Sequence, residues 1–578
     1  MKLFGQVGPG LPPNAGITAD YVHCASGVTV ALSGGPVWLD GAVVASPAEA
    51  VLTAYKARGA EMLASLSGRF ALALWDQPAN RILVALDQMG IERLAYARLG
   101  DGLVFSSSAA AVAAVPGVDS TLRPQGLFDF LMLHMIPAPD TIYASVSKLR
   151  PGTCAILENG RLRVERYWVP HFPETAHAPF AELRDGLMDA LREAVVACRP
   201  DETTGTFLSG GLDSSTVAGM LAGVSAQPPP TFSIGFGVDA FNEIEYARIA
   251  SRHFGTIPHE YDVTPEDIVE AFTDIAAAYD EPFGNSSAVP TYLCARLAAR
   301  HGVHHLLAGD GGDELFGGNE RYARQRIFEA YGRLPGGLRR NVIEPLFRGV
   351  DPELGVLPLR KMRSYLDQAR IPMPERLESW NYMYRIDLGS MLEPDFRAAV
   401  DPRAPLRTMA EVYGAAPSKR LLHRMLFYDW HYTLSDNDLR KVGSMCALAG
   451  VRVSYPMLDP RVINLSLRVP TGMMQHGLAL RSFYKKAMRG FLPDAILAKT
   501  KHGFGLPFGV WLKTHAGLGE LIYGLLSDFK SRRIVQPSFI DNLIVEHRAG
   551  HPGYYGYAIW DLAMLEAWLQ AQSTRRSG

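Results

Sequence analysis

Cysteine is scarce. Only five occur in 578 residues, Cys24, Cys154, Cys198, Cys294 and Cys446, and none forms a CxxC or other metal-ligand spacing. That excludes a disulfide scaffold and a zinc framework, and leaves buried thiols in a reducing compartment as the expectation. No apolar run is long enough to cross a bilayer. The opening Met1-Lys2-Leu3-Phe4-Gly5-Gln6 lacks the apolar core of a signal peptide, so a cytoplasmic protein with no membrane span is expected. Charge of one sign is missing too: 57 basic against 59 acidic residues give a net charge of −2. Such balance argues against a nucleic-acid partner. No internal repeat or low-complexity tract is found. What is present, 48% hydrophobic and 20% charged residues, is the composition of a globular protein, and the chain is too long for a single core.

Residues 1 to about 170 read as short apolar strands, Val28–Leu32, Val37–Leu39, Phe70–Trp75 and Arg81–Leu86, separated by turn signals at Ser33-Gly34-Gly35, Asp40-Gly41 and Asp101-Gly102. A helix is expected from Pro47 to Leu66, capped by Ser46 and broken at Gly59, and another from Leu127 to Met135. This is an α+β pattern. A boundary follows Arg166–Pro173, where prolines precede helical spacing. The division expected is 1-172 and 173-578. Strands at Thr206–Leu208, Thr231–Phe236, His259–Val263 and His304–Ala308 then alternate with helices at Glu243–Phe254, Pro265–Tyr279 and Ser287–His301. Alternation of this kind predicts an α/β domain with a parallel sheet, whose ligands sit at the carboxyl ends of the strands. Beyond residue 320 the chain reads as mostly helical.

Two loops carry the chemistry. Ser209-Gly210-Gly211-Leu212-Asp213-Ser214-Ser215 joins a strand to a helix. That geometry offers backbone N–H groups to an anion, and glycine lets the backbone approach without a Cβ. The alternative for a bare Ser-Gly-Gly is a capped turn. The second loop, Gly309-Asp310-Gly311-Gly312-Asp313-Glu314, crowds three carboxylates into five residues. Such crowding is costly unless a cation is near. Asp213 and Asp313 suit Mg²⁺ held against nucleotide phosphates. The alternatives are a solvated acidic turn or a Ca²⁺ loop, and the spacing lacks the EF-hand pattern.

These two stretches, with DEPFGNSSAVPTY at 280–292 and KHGFGLPFGVWL at 501–512, resemble the asparagine synthetase family of ATP pyrophosphatases over residues from about 180 to 515. The resemblance implies ATP and Mg²⁺ as cofactors: a carboxylate attacks the α-phosphate of ATP, pyrophosphate leaves, and an amine converts the acyl-adenylate to an amide. It further implies that Ser209, Gly210, Gly211, Asp213, Ser214 and Ser215 hold pyrophosphate and that Asp213 and Asp313 bind the metal. Phe207, Leu208, Ile234 and Gly309 would lie near adenosine, Asp310 would stand in the place of a usual catalytic Glu and accept a proton from, or orient, the attacking amine, and Lys501 would stabilise charge on the phosphate.

Residues 64 to 107 resemble the amino-terminal glutaminase domain (Ntn-type) of that family. That domain uses an N-terminal cysteine, its own amine serving as base. Here Lys2 stands at position 2, the first cysteine is Cys24, and the Arg-Gly-Pro-Asp loop that holds glutamine has no counterpart. A degenerate domain without glutaminase activity is expected, since fold and site are separable. The stretch Val451–Asp459 departs from the acceptor motif of asparagine-forming members, with Arg452 and Ser454 in place of Glu and Arg. The helical half is rich in aromatics, Trp380, Tyr382, Tyr384, Phe427, Tyr428, Trp430 and Tyr432. Most are expected in the core and a few around a larger pocket.

Family members without the cysteine include β-lactam synthetases and the macrolactam-forming cyclases of lasso peptides. The expectation is a lasso cyclase acting on a leader-free precursor peptide, with a leader peptidase and a leader-binding protein as partners. The rivals are a β-lactam-synthetase-like small-molecule cyclase, an ammonia-dependent asparagine synthetase, and a catalytically silent ATP-binding partner protein. A tRNA-modifying enzyme is disfavoured for want of catalytic cysteines and a basic surface.

Overall fold

The computed structural model describes residues 2–8, 16–38, 46–173, 178–238, 241–332, 334–348, 357–379, 381–499, 505–550 and 552–577. Leu39, Asp40-Gly41, Trp380 and Lys501 with His502-Gly503-Phe504 lie outside these residues.

Among the described residues, ten strands build the first 170 positions: β1 Phe4–Val7, β2 Tyr21–Ala25, β3 Val28–Trp38, β4 Leu66–Asp76, β5 Arg81–Leu86, β6 Ala95–Leu99, β7 Gly102–Ser106, β8 Ser147–Lys148, β9 Thr153–Glu158 and β10 Arg161–Arg166. They form a four-stranded sheet, β1-β7-β6-β8, and a six-stranded one, β10-β9-β5-β4-β3-β2, with every pairing antiparallel. Successive strand residues face opposite sides, which explains why β4 is buried along most of its length. Phe70, Leu72 and Leu74 face the helix Pro47–Arg58 through Val51, Leu52 and Tyr55. Ala71, Ala73 and Trp75 face Leu103 and Phe105 of the other sheet. Each large apolar side chain buried this way contributes about 1.5–3 kcal/mol. The outer face of the smaller sheet, at Ala95, Ala97 and Val104, packs into the same core as the second domain.

Two local expectations are corrected. Ser33-Gly34-Gly35 is no turn: β3 runs straight through it, paired to β4 from Val28↔Asp76 to Trp38↔Leu66. Gly34 has φ +88, and a Cβ there would lie 2.5 Å from the Arg69 carbonyl oxygen, so glycine serves close strand contact. Ser46 precedes the helix Pro47–Arg58, but its side chain caps nothing. That helix does end at Gly59, where a 3₁₀ segment, Gly59–Ser65, takes over. The next expected helix spans Pro124–Leu133.

In the second domain β11 Thr204–Phe207, β12 Pro230–Phe236, β13 Ile257–Val263, β14 His305–Leu307 and β15 Arg452–Ser454 form one parallel sheet in the order β13-β12-β11-β14-β15. The helices Ile244–Phe254, Pro265–Ala278 and Ala288–Arg300 connect them where the alternation places them. Thr264 and Asp267 form a reciprocal capping box at the middle one. The order turns back between β11 and β14, and such a switch point opens a crevice at the strands' carboxyl ends. Among the described residues beyond 320 the elements are helices apart from β15, and the last helix, Pro552–Ser577, buries Trp560 and Trp568.

The two halves meet through buried polar contacts. Arg69 Nη1 donates to the Val453 carbonyl at 3.1 Å. Lys148 Nζ lies 2.7 Å from Glu281. Burial would raise Asp280, but Arg93 and Arg440 outweigh it and hold the carboxyl down to about 2.

Candidate active site

The first loop leaves β11 at Phe207 and is tied at once to β12. Leu208 N–H donates to the Phe232 carbonyl at 2.8 Å, and Ser233 Oγ donates to the Leu208 carbonyl at 2.6 Å. Gly210 then turns with φ +67, and a Cβ there would come 2.4 Å from the backbone nitrogen of Ala247. Only glycine fits both demands. The helix Leu212–Val224 starts immediately after, with Gly211 as its N-cap. Its amino-terminal N–H groups and dipole favour an anion. Ser214 Oγ accepts the Ser209 N–H at 3.2 Å and lies 3.0 Å from Ser209 Oγ.

The second loop leaves β14 and crosses the first at van der Waals limits. A Cβ at Gly309 would fall 2.8 Å from Ser214 N, and one at Gly312 would fall 2.0 Å from Asp213 Oδ1. Gly311 has φ +100. These glycines let Asp213 and Asp313, a hundred residues apart in sequence, come side by side.

What joins them is Arg481, a residue the sequence reading passed over. Its Nη1 donates to Asp213 Oδ2 at 2.6 Å and to Asp313 Oδ1 at 3.0 Å, and its Nη2 donates to Asp213 Oδ1. The guanidinium is buried and sits 4.2 Å from the Tyr484 ring centroid. Two carboxylates within reach of one guanidinium are within reach of one metal ion. Together with the loop N–H groups they fit Mg²⁺ on nucleotide phosphates.

The same cavity, about 900 Å³, brings in most of the expected residues. Phe207, Leu208, Phe232 and Ile234 form an apolar wall suited to a base, and Ser209, Gly211, Asp213, Ser214, Gly309, Asp310 and Asp313 supply the polar side. Ser215 is not part of the lining: its hydroxyl is buried under the loop and accepts or donates no hydrogen bond among the described residues. Gly210 contributes through its carbonyl, which receives Lys499 Nζ at 3.4 Å. Lys499 also pairs with Glu243 at 2.9 Å and lies 4.6 Å from the Tyr246 ring.

Burial pushes the Asp310 carboxyl up to about 7; Lys441 opposes the shift and Asp438 reinforces it. Lys441 bonds Asp438 at 2.8 Å, and both line the cavity. They come from a π-helical stretch, Trp430–Leu439, and the helix Arg440–Leu448 that follows it. A π-helical stretch often marks a functional site. The run of two acids and then two bases across the junction, Asp436, Asp438, Arg440 and Lys441, was the available signal. The loop before Ala288 is tied to the same π-helical stretch, Asn285 Nδ2 donating to Asn437 Oδ1 at 2.9 Å.

Arg452 and Ser454 do not reach the cavity. They sit on β15, where Ser454 Oγ lies 2.9 Å from His305 Nε2 and Arg452 Nη2 lies 3.2 Å from His305 Nδ1. Their departure from the acceptor motif therefore says nothing of the pocket. Phe427, Tyr428, Trp430 and Tyr432 are core residues, and none of them or Tyr384 lines the cavity.

A glycine-turned loop and an acidic loop meeting at the switch point of a parallel sheet define a nucleotide-binding α/β domain. Comparison with known proteins agrees with that class and narrows it. The family model for asparagine synthase matches residues 186–570, and that for a glutamine amidotransferase domain matches residues 43–168. This chain belongs to the asparagine synthase family, whose members form amide bonds at the expense of ATP. It is 28% identical over 547 residues to a putative glutamine-hydrolyzing asparagine synthetase of Mycobacterium tuberculosis, covering 90% of this chain and 79% of that protein. Glutamine-hydrolyzing asparagine synthetase 1 of Bacillus subtilis is 24% identical over 533 residues, covering 90% and 80%. Asparagine synthetase B of Escherichia coli is 26% identical over 290 residues, covering 47% of each.

Proposed function

We propose that this protein is an AMP-forming amide ligase that closes a macrolactam in a leader-free lasso precursor peptide. The observation that carries the ligase reading is the meeting of Asp213, Asp313 and Arg481 beside a half-buried Asp310 in one cavity. A side-chain carboxylate of the peptide attacks the α-phosphorus of ATP, the α–β phosphoanhydride bond breaks, and pyrophosphate leaves. The loop N–H groups stabilise the charge that develops. Mg²⁺ held by Asp213 and Asp313 would neutralise the departing phosphates. The amine of the same peptide then attacks the acyl carbon, its proton passes to Asp310, and AMP departs. Lys501 is assigned to the phosphate from its motif.

The choice of an internal amine rests on the first domain, 1-172, which is read as inactive, with 173-578 carrying the chemistry. Burial pushes Cys154 up to about 11, and Cys198, just beyond that domain, up to about 12. Such thiols are neutral near pH 7. Cys24 lies on strand β2 and accepts a hydrogen bond from Thr29 Oγ1 at 3.3 Å. Lys2, at the place of the nucleophile, is engaged with Glu92 at 3.3 Å. Among the described residues there, none of these groups is arranged to release ammonia from glutamine. A leader peptidase and a leader-binding protein are the partners this reading requires, in the cytoplasm.

The test is pyrophosphate release from Mg-ATP with mass spectrometry of products. Leader-free peptide should yield pyrophosphate and a product lighter by one water. Asparagine from aspartate and ammonium, with no peptide product, would replace the cyclase reading by an ammonia-dependent synthetase.

A further inference from the structure

Arg481 occupies an unusual place for a cation. Both oxygens of Asp213 and one of Asp313 accept its N–H groups. Its backbone is left-handed, φ +53, a conformation that arginine seldom adopts. The side chain is buried on Tyr484, whose hydroxyl donates to Thr216 Oγ1 at 2.9 Å on the helix that carries Asp213. From the other side Gly318 leaves room for the pair: a Cβ there would lie 1.7 Å from Asp313 Oδ1 and 2.8 Å from Arg481 Cδ. The fold therefore fixes the guanidinium on the carboxylates from two directions.

A divalent ion arriving alone must compete with these N–H groups for the same oxygens, and it meets two carboxylates whose charge is already half neutralised. An ion arriving with a triphosphate brings its own anionic ligands and needs only one or two carboxylate oxygens. We propose that Arg481 is a positioning residue that reserves Asp213 and Asp313 for the metal–nucleotide complex, holding both carboxylates together while excluding free divalent cations. This rests on the reading of Asp213 and Asp313 as metal ligands, and the experiment separates the two.

The measurement is Mn²⁺ binding to the full-length protein, followed by electron paramagnetic resonance, with and without α,β-methylene-ATP. Wild type should bind Mn²⁺ weakly alone and about tenfold or more tightly with the analogue. Arg481→Met should bind Mn²⁺ without nucleotide about tenfold more tightly than wild type, because the competing donors are gone. Arg481→Lys, which keeps charge but loses the two-pronged geometry, should fall between. Folding of each variant is checked by circular dichroism; should Arg481→Met not fold, Arg481→Lys and the wild-type pair of titrations decide. Equal wild-type affinity with and without analogue, or folded variants within about twofold of wild type, would overturn the proposal. Loss of Mn²⁺ from nucleotide-loaded Asp213→Asn is the separate check on the ligand reading: if that variant binds as wild type does, the ligand assignment itself is wrong.

Discussion

The segments that follow β5, β11 and β14 each carry aspartate and glycine within six residues of the strand's end, and they use them differently. Asp87 turns inward. Its carboxylate accepts N–H groups of Met89 at 3.1 Å, Ile91 at 3.0 Å and Glu92 at 2.9 Å, so the loop satisfies itself. Asp213, Asp310 and Asp313 turn into a cavity and face one another and two cations. The first arrangement stabilises a turn and the second gathers charge around a cavity. A domain can thus keep its two-sheet core while its loop aspartate serves only nearby backbone, because the core depends on alternating apolar faces and the site does not.

The contrast is broken most severely at Asp213. Asp213→Ala should lower peptide-dependent pyrophosphate release by on the order of 10³-fold, with the thermal transition of the amino-terminal domain unchanged by calorimetry. Retained turnover would mean that the two loops do not differ as described.

Asp310→Asn comes next, with a loss of about 10²-fold in amide formation. The pH profile sharpens the point. A base with its pKa near 7 must be ionised, so the wild-type rate should climb with pH and level off above about 7. The asparagine variant should lose that limb. A wild-type profile flat from pH 5.5 to 8.5 would remove Asp310 from the role.

Asp87 shares the direction of the shift, pushed by burial to about 7 from an ordinary 3.8, but faces no ligand. Its folded-state pKa lies above the unfolded one, so the folded protein holds the extra proton between these values. This contribution to stability is complete below about pH 4 and is lost as pH rises through about 7. Asp87→Asn should cost about 1–3 kcal/mol in chemical denaturation through lost N–H acceptors, flatten that pH dependence, and leave the rate per folded molecule alone.

The smallest effect separates two glycines. Gly35→Ala in β3 meets nothing within 4 Å and needs no positive φ, so stability should stay within about 0.5 kcal/mol. Gly210→Ala, equally conservative on paper, should abolish binding of a fluorescent ATP analogue, since its Cβ collides with Ala247.

Much of this was readable in the chain. The four strands and three helices around the first loop stand within two residues of where alternation and turn chemistry put them. Ser209–Ser215 and Gly309–Asp313 fall at strand ends as expected. The misses have physical causes. Ser33-Gly34-Gly35 looks like a turn because glycine serves both turns and close strand approach, and only the partner strand tells which. β15 is three residues long and exists because β14 offers a free edge. Arg481 stands 268 residues from Asp213, in a segment with no glycine signature beside it.

By itself the sequence determined the local units: which runs pleat, where a strand must turn into a helix, and which loops carry more negative charge than water alone readily relieves. Those follow from side-chain alternation, glycine conformation and short-range repulsion, all properties of neighbours in the chain. Tertiary structure decided the rest. It set Arg481 across Asp213 and Asp313, desolvated the Asp310 carboxyl until its pKa approached neutrality, and left Arg452 and Ser454 outside the cavity. Desolvation and charge pairing depend on every group within a few ångströms, and those groups are gathered from the whole length of the chain.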